Sequence, residues 1–227
     1  MNLTPTAIIF DMDGVIVDTE PLCDLYEIEF LTRLGVNEPG EPPANRHGLN
    51  SRAYWAPYKK EYGLKPTVDE LIMLWRPGYL AYLDGLTEIP LIPGIKKLLD
   101  YLTRTDIKLA LCSSANPKRV ELILNKVSLK DYFPIIVHGD DVINSKPAPD
   151  SYLLAAARLN VPPSECLVIE DAANGIKAAI AAGMSCVAYA GSPHNTDDLS
   201  EAHVIIDDFD YFNRSLYILD NPDGIGK

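Results

Sequence analysis

Short runs of consecutive apolar residues alternate along the chain with stretches in which apolar residues recur every three or four positions. The runs fall at 7–10, 109–113, 134–137, 166–170, 186–190 and 203–207. Because alternate residues of a strand point to opposite faces, such runs predict strands that are buried on both faces. The helical spacing is clearest at Ile95, Leu98, Leu99 and Leu102 and at Val120, Ile123, Leu124 and Val127. The alternation predicts an α/β fold, a Rossmann-like three-layer α/β/α core with a parallel sheet.

The segment between the first and second predicted strands has a different pattern. It contains no strand-like run, but Leu22, Leu25, Ile28, Leu31 and Leu34 keep a near-helical spacing. Further along, Thr67 and Glu70 form the sequence signature of a capping box at the start of a helix. We therefore predict an inserted all-α cap domain at residues 17–90, and a core formed by residues 1–16 and 91–227.

Composition and charge narrow the class of protein. Apolar residues make up 47% of the chain, and its apolar runs are far shorter than the roughly 20 residues of a membrane span. The net charge of −12 argues against nucleic acid or an anionic membrane as a partner. The four cysteines show no CxxC pair, which favours reduced thiols over a zinc site. With no basic amino-terminal segment, we expect a cytoplasmic protein, and no obligate protein partner is predicted.

Polar clusters follow four of the predicted strands at the points where the strands end. Ligands of open parallel sheets bind in the crevice beyond the carboxyl ends of the strands. The clusters are Asp11 and Asp13 after the first strand, Ser113 and Ser114 after the second, Lys146 in the loop after the third, and Glu170 and Asp171 after the fourth. We expect these side chains to converge.

The convergence of four carboxylates points to a metal. Carboxylates held together repel one another unless a counter-charge is present, and all-oxygen ligands favour Mg²⁺. Lys146 and the serine hydroxyls would add donors for the oxygens of a phosphoryl group. One of the first two aspartates could attack phosphorus while the other moves protons, because residues two apart on an extended chain share a face. The sequence therefore predicts phosphoryl transfer on a small phosphorylated metabolite.

Four segments together identify a family resemblance. The segments DMDGVIVDTEP, LALCSSANP, SKPAPD and VIEDAANGIKAAIAAGM resemble the four signature motifs of the haloacid dehalogenase superfamily, in the same order and with similar separations. The resemblance extends from residue 8 to about residue 210. The helical insertion resembles the small α-helical cap of the subgroup that includes β-phosphoglucomutase and many sugar-phosphate phosphatases.

The resemblance implies a role for each of these residues. Asp11 would be the nucleophile, and Asp13 the general acid and base. Mg²⁺ would be bound by Asp11, the main-chain carbonyl of Asp13 and Asp171, with Glu170 contacting it directly or through another ligand. Ser113 and Lys146 would hold the phosphoryl group, and Ser114 would help through its backbone N–H. The cap is expected to open and close over the substrate.

Several alternatives stay open. Mutases of this subgroup usually carry a histidine in the first cap helix, where this chain has Cys23, so we favour a phosphatase over a β-phosphoglucomutase-type isomerase. A phosphonate hydrolase would need a reactive cap lysine, for which Lys59, Lys60 and Lys65 are available. A non-catalytic protein that binds a phosphorylated metabolite is the alternative of another class. Arg52, in the cap, is either the partner of a second anionic group on the substrate or a solvent-exposed residue.

Overall fold

The fold is built on a six-stranded sheet in which every pair of neighbouring strands is parallel. A computed structural model describes residues 5–40, 49, 51–192, 195 and 197–210. The strands are β1 (Ala7–Phe10), β2 (Lys108–Cys112), β3 (Ile135–Val137), β4 (Cys166–Glu170), β5 (Ser185–Tyr189) and β6 (Val204–Ile206). Their order is β3-β2-β1-β4-β5-β6. Each predicted strand is present to within one residue at either end, and the predicted Rossmann-like class is confirmed.

Alternate strand residues pack into two separate hydrophobic clusters, one on each face of the sheet. In β1, Ile8 and Phe10 point into one cluster, whereas Ala7 and Ile9 point into the other. The first face is covered by α4 (Ile95–Leu102) and α5 (Pro117–Lys126), and the second by α6 (Asp150–Leu159) and α7 (Ala173–Ala181). The three layers follow from the strand sequences. Alternate residues of each strand point to opposite faces of the sheet, and because both sets are apolar, helices must cover both faces.

Helices α1 (Glu20–Arg33), α2 (Ser51–Glu61) and α3 (Val68–Gly85) occupy the segment between β1 and α4. The predicted capping box is present, with the N–H of Glu70 donating to Thr67 and the N–H of Thr67 donating to the Glu70 carboxylate. The two ends of the segment run side by side, since the N–H of Asp18 donates to the carbonyl of Pro90. The division into core and cap at residues 17–90 remains a prediction.

The buried face of α1 matches the leucine spacing only in part, since Leu31 is buried as that spacing suggested. Leu25 and Ile28 are 60% and 52% exposed, whereas Tyr26 and Phe30 are buried. The Tyr26 and Phe30 rings pack against Trp75, at centroid separations of 4.9 and 5.2 Å. Aromatic packing between α1 and α3 therefore sets the rotation of α1.

Two further findings concern the cysteines and the length of the apolar helices. Cys23, Cys112, Cys166 and Cys186 are free thiols, as predicted. Within the described ranges, no helix combines the length and the apolar character that crossing a membrane requires.

Candidate active site

The carboxyl ends of the central strands meet at a cavity of about 150 Å³ beneath helices α1–α3. Its core side is lined by Asp11, Asp13, Ser114, Ala115, Asn116, Arg119, Glu170, Asp171 and Ala172. Its opposite side is lined by Thr19, Glu20, Cys23, Leu49, Ser51, Tyr54, Trp55, Trp75, Arg76 and Tyr79. The cavity lies where an open parallel sheet is expected to bind its ligand.

Lys146 joins two of the predicted carboxylates beneath this cavity. Its ammonium group lies 2.5 Å from Oδ1 of Asp11 and 2.7 Å from Oε1 of Glu170, and all three residues are buried. The group also lies 4.8 Å from the centroid of the Tyr152 ring. The chain thus brings a lysine from the loop after β3 onto aspartate and glutamate residues from β1 and β4.

Burial and like charges dominate the ionisation of this cluster. Burial raises the pKa of Asp11 to about 7, although the Lys146 ammonium lowers it. Burial, with the nearby carboxylates of Glu170 and Asp11, raises the pKa of Asp171 well above its ordinary value. Burial alone would lower the pKa of Lys146, but Asp11 and Glu170 raise it well above the usual range. The lysine stays charged, and it does not fully offset the repulsion among the carboxylates.

The Glu170 carboxylate accepts hydrogen bonds from four donors. Its Oε1 accepts from Lys146 and, at 2.9 Å, from the hydroxyl of Tyr152. Its Oε2 accepts from the backbone N–H groups of Asp171 and Ala172, each at 2.8 Å. Both oxygens are engaged by four donors, which tie the Glu170 side chain to Lys146, to Tyr152 and to the backbone of the Asp171 loop.

The backbone of the first motif packs directly against Asp171. Gly14 has a φ of +77°, and a Cβ at this position would lie 3.0 Å from Oδ1 of Asp171 and closer still to its Oδ2. Only glycine satisfies both the left-handed conformation and this close approach. The Asp171 carbonyl accepts a hydrogen bond from Asn195 at 2.5 Å, which holds the loop from the other side.

These residues fit the predicted magnesium ion. Among the described residues, no group of three or more His, Cys, Asp or Glu side chains is arranged to hold a metal. The predicted ligands are the carboxylates of Asp11 and Asp171 and the carbonyl of Asp13, with Glu170 contacting the ion directly or through another ligand. Because both Glu170 oxygens already accept hydrogen bonds, the structure favours the indirect contact. Mg²⁺ commonly takes one or two carboxylates and completes its shell with water and phosphate oxygens. The buried carboxylates with raised pKa values supply the negative charge that such an ion would neutralise.

The side chain of Asp13 is engaged by two neighbours. Its Oδ1 accepts a hydrogen bond from the Thr19 hydroxyl, and its Oδ2 forms an ion pair with Arg119. Burial alone would lower the pKa of Arg119, but the Asp13 carboxylate helps to raise it above its ordinary value. The guanidinium group also lies 5.7 Å from the centroid of the Tyr79 ring.

The two predicted serines occupy different places. Ser114 lines the cavity. Ser113 is buried behind it, and its hydroxyl accepts a hydrogen bond from the N–H of Ala115 at 3.1 Å. In this arrangement Ser113 accepts a hydrogen bond within the turn after β2, whereas Ser114 lines the cavity.

Arg52 lies apart from the cavity lining. Its guanidinium group pairs with Asp69, and its side chain is 66% exposed. The arginine that the inserted helices bring to the cavity is Arg76, which contacts the hydroxyl of Ser51 and, at 3.3 Å, the carboxylate of Asp140.

The cap aromatic residues form a packed core and also a cavity wall. Trp55 and Tyr58 are almost fully buried, as expected for core residues, yet Trp55 lines the cavity together with Tyr54. The hydroxyls of Tyr54 and Tyr58 both donate to the carboxylate of Glu27, which is 2% exposed. This buried carboxylate fixes the orientation of the Tyr54 ring.

Several residues that the structure places at or beside the site were not predicted from the sequence, and four of them bear most directly on its chemistry. Thr19, Arg119, Tyr152 and Arg76 contact predicted site residues or line the cavity. The sequence could have indicated Arg119 as a site residue, because it lies in the first turn of the helix after β2, at the edge of the sheet where ligands bind. No sequence pattern indicated Tyr152 and Arg76, because their positions depend on the rotation of their helices, which the sequence does not determine.

Comparison with known proteins establishes the family. A family model described as haloacid dehalogenase-like hydrolase matches residues 5–183. The chain therefore belongs to the haloacid dehalogenase-like hydrolases. The predictions of this superfamily and of an enzyme are confirmed.

Individual relatives agree. The chain is 31% identical over 195 residues to the phosphorylated carbohydrates phosphatase of Thermotoga maritima, covering 85% of this chain and 87% of that protein. It is 34% identical over 189 residues to the β-phosphoglucomutase of Bacillus subtilis, covering 80% and 81%. The crystal structure of CbbY from Rhodobacter sphaeroides with xylulose 1,5-bisphosphate superposes with a TM-score of 0.79 at 27% identity, covering 90% of this chain and 95% of that one. The predicted likeness to β-phosphoglucomutase and phosphatases is thereby confirmed.

Proposed function

We propose that the protein is a Mg²⁺-dependent phosphatase that hydrolyses a small sugar phosphate through an aspartyl phosphate on Asp11. The observation that carries the proposal is the contact of Asp11 with Lys146 at a cavity that Asp13 and Asp171 also line. The relatives support a phosphorylated carbohydrate as the substrate class, since one is named a phosphatase of such compounds.

The residues divide the reaction into two displacements. A carboxylate oxygen of Asp11 attacks phosphorus, and the bond from phosphorus to the leaving oxygen breaks as Asp13 donates a proton to that oxygen. Asp13 then takes a proton from the water that attacks the same phosphorus. The bond to Asp11 breaks, and inorganic phosphate leaves.

The other groups stabilise charge and exclude solvent. Lys146 would donate to a phosphoryl oxygen while it remains fixed by Glu170. Mg²⁺, held by Asp11, Asp171 and the Asp13 carbonyl, would supply neutralisation of the charge on the transferring group. The helices above the cavity would keep bulk water out during the first step.

Phosphate release from p-nitrophenyl phosphate, with and without EDTA, tests the proposal. We expect EDTA to abolish release and Asp11→Asn to lower it by at least about 1000-fold, since the nucleophile is lost. Asp106→Asn, at an exposed position ahead of β2, is the matched control and should keep full activity. Activity that survives both EDTA and Asp11→Asn would contradict the mechanism, and inactivity on every ester would favour a non-catalytic binding protein.

An isomerase of the β-phosphoglucomutase kind is the second candidate, because one relative carries that name. Cys23 lines the cavity at the position where such mutases usually have a histidine. Phosphorus NMR with β-glucose 1-phosphate separates the two functions. Free phosphate is the expected product, and accumulation of glucose 6-phosphate would replace our proposal with the isomerase.

A further inference from the structure

The segment between β5 and β6 contacts the backbone that carries Asp171. The side-chain amide of Asn195 donates to the carbonyl of Asp171 at 2.5 Å. One carboxylate oxygen of Asp197 accepts from the N–H of Ala173 at 2.8 Å. The two residues form a unit, since the N–H of Asp197 donates to the side-chain oxygen of Asn195 at 2.9 Å. Because β5 lies beside β4 in the parallel sheet, the loops that follow these two strands leave the same edge and can meet.

Asp197 supplies the cap that α7 lacks in its own sequence. The first N–H groups of a helix have no partner within the helix, and the side chain of the N-cap residue usually accepts from one of them. The N-cap of α7 is Ala172, whose methyl group accepts no hydrogen bond. Asp197 accepts from the N–H of Ala173 instead, from 24 residues away. A carboxylate at this end of a helix is also favoured by the helix dipole.

Asp171 needs a fixed backbone because its neighbours repel its charge. The residue is 2% exposed, and burial together with the carboxylates of Glu170 and Asp11 raises its pKa well above the ordinary value. Without a cation among them, the negative charges favour a displacement of Asp171 away from Asp11. The contacts from Asn195 and Asp197 are made to the backbone on the carboxyl side of this residue. They oppose the displacement without using the Asp171 carboxylate.

We propose that Asn195 and Asp197 are positioning residues of the metal site, which hold the Asp171 carboxylate in place before Mg²⁺ binds. The inference rests on the proposed function, which assigns Asp171 to Mg²⁺, and deepens it by adding the segment after β5 to the site. Neither residue is among those that line the cavity. They act through Asp171, as partners that orient a metal ligand do, and the loss of such partners typically lowers metal affinity by about 10- to 100-fold.

Calorimetric titration of the metal-free protein with Mg²⁺, in the absence of substrate, tests the inference. Asp197→Ala and Asn195→Ala should each raise the Kd for Mg²⁺ about 10-fold, because the Asp171 loop loses one of its contacts. Asp197→Asn keeps an acceptor oxygen for the N–H of Ala173, so its Kd should stay within about threefold of the wild-type value. Equal losses in Asp197→Ala and Asp197→Asn would mean that the charge of Asp197 attracts the ion from a distance, which would overturn the inference.

Glu201→Ala is the matched control. Glu201 belongs to the same segment, carries the same charge and also contacts α7, through an ion pair with Lys177 at 3.7 Å in which both side chains are about half exposed. This contact lies away from the Asp171 loop, so the Kd for Mg²⁺ should be that of the wild type. A loss of affinity as large as that of Asp197→Ala would show that any carboxylate of this segment has the same effect, and the positioning role would be wrong.

Rate measurements separate positioning from a merely structural role. In phosphate release from p-nitrophenyl phosphate, Asp197→Ala should need about 10-fold more Mg²⁺ for its half-maximal rate, while kcat at saturating Mg²⁺ stays within about threefold of the wild type. A loss of stability in urea with an unchanged Kd for Mg²⁺ would mean that Asp197 only caps α7, and would refute the inference. Should Asp197→Ala fail to fold, Asn195→Ala, which loses a single side-chain donor, provides the same test.

Binding of Mg²⁺ also separates this inference from the proposed function. If no ester is hydrolysed and the two alanine variants still bind Mg²⁺ about 10-fold more weakly than the wild type, only the proposed function fails. Hydrolysis by the wild type together with one Mg²⁺ affinity for all variants would overturn only the inference. A wild-type protein that does not bind Mg²⁺ would overturn both.

Discussion

The substitution Gly175→Ala tests whether the Glu170 carboxylate is held in a fixed position. Helix propensity and the structure predict opposite effects of this substitution on the free energy of unfolding. Gly175 lies in the first turn of α7. Within a helix, alanine is ordinarily more stable than glycine by about 0.5–1 kcal/mol. Here a Cβ would lie 2.6 Å from Oε2 of Glu170 and closer still to its Cδ and Oε1.

The Glu170 carboxylate has little freedom to move away. It is 1% exposed and accepts hydrogen bonds from Lys146, Tyr152 and the N–H groups of Asp171 and Ala172. Losing one hydrogen bond to a buried charged group costs about 1.5–3 kcal/mol, and the gain in helix propensity offsets about 1 kcal/mol at most. With a second bond strained as well, we expect the free energy of unfolding to fall by about 2 kcal/mol.

Activity should fall with stability, because Lys146 is shared between Glu170 and Asp11. A displaced Glu170 would shift the ammonium group from the phosphoryl site, and we expect kcat to fall by about 10- to 100-fold. Urea unfolding gives the stability, with an unchanged m-value as the sign that the unfolded state is unaffected. Phosphate release from p-nitrophenyl phosphate gives the rate.

Gly85→Ala is the matched control. Gly85 is the last residue of α3, is exposed, and has no atom within 4 Å of the position its Cβ would take. This variant should be as stable as the wild type or gain up to about 1 kcal/mol, with unchanged activity. If Gly175→Ala behaved in the same way, the reasoning about a fixed Glu170 would be wrong.

Three further outcomes are expected. Tyr152→Phe, which removes one donor to Glu170, should destabilise the protein by about 1–2 kcal/mol and lower kcat about 10-fold, as measured by urea unfolding and phosphate release. Arg52→Ala removes only an exposed pair with Asp69, so stability should stay within about 0.5 kcal/mol and kcat/KM within about threefold. The raised pKa of Asp11, about 7 against 3.8 ordinarily, gives the metal-free protein stability that is fully present below about pH 4 and lost as pH rises through about 7. Mg²⁺ should therefore raise the melting temperature more at about pH 8 than at about pH 5, and the reverse order would contradict this sign.

The sequence was sufficient to predict the sheet and the meeting of the central charged residues. Runs such as Ala7–Phe10 are apolar on both faces, so they have no stable place except the centre of a sheet covered on both sides. Parallel strands end at one edge, and this topology brings Asp11 after β1 next to Asp171 after β4, while the loop after β3 carries Lys146 to Asp11. No detail of side-chain packing was needed for either prediction.

The helical segment shows why the remainder was not predictable. In α1, both Leu25 and Tyr26 are apolar enough to be buried, so periodicity could not choose between the faces that carry them. The choice depends on aromatic packing with Trp75, which is far away in the chain. The same uncertainty in rotation and register concealed that Arg76, rather than Arg52, faces the cavity.

Burying the charges of the site costs free energy that the rest of the fold must offset. Asp11, Glu170 and Asp171 are each less than a tenth exposed, with Lys146 among them. Taking these charges out of water costs free energy that their mutual attraction only partly offsets, and raised carboxylate pKa values are the sign of that imbalance. The two hydrophobic clusters that cover both faces of the sheet provide the compensating stability. Because a bound cation would relieve the repulsion in the folded state alone, metal binding and folding stability should be coupled in this enzyme.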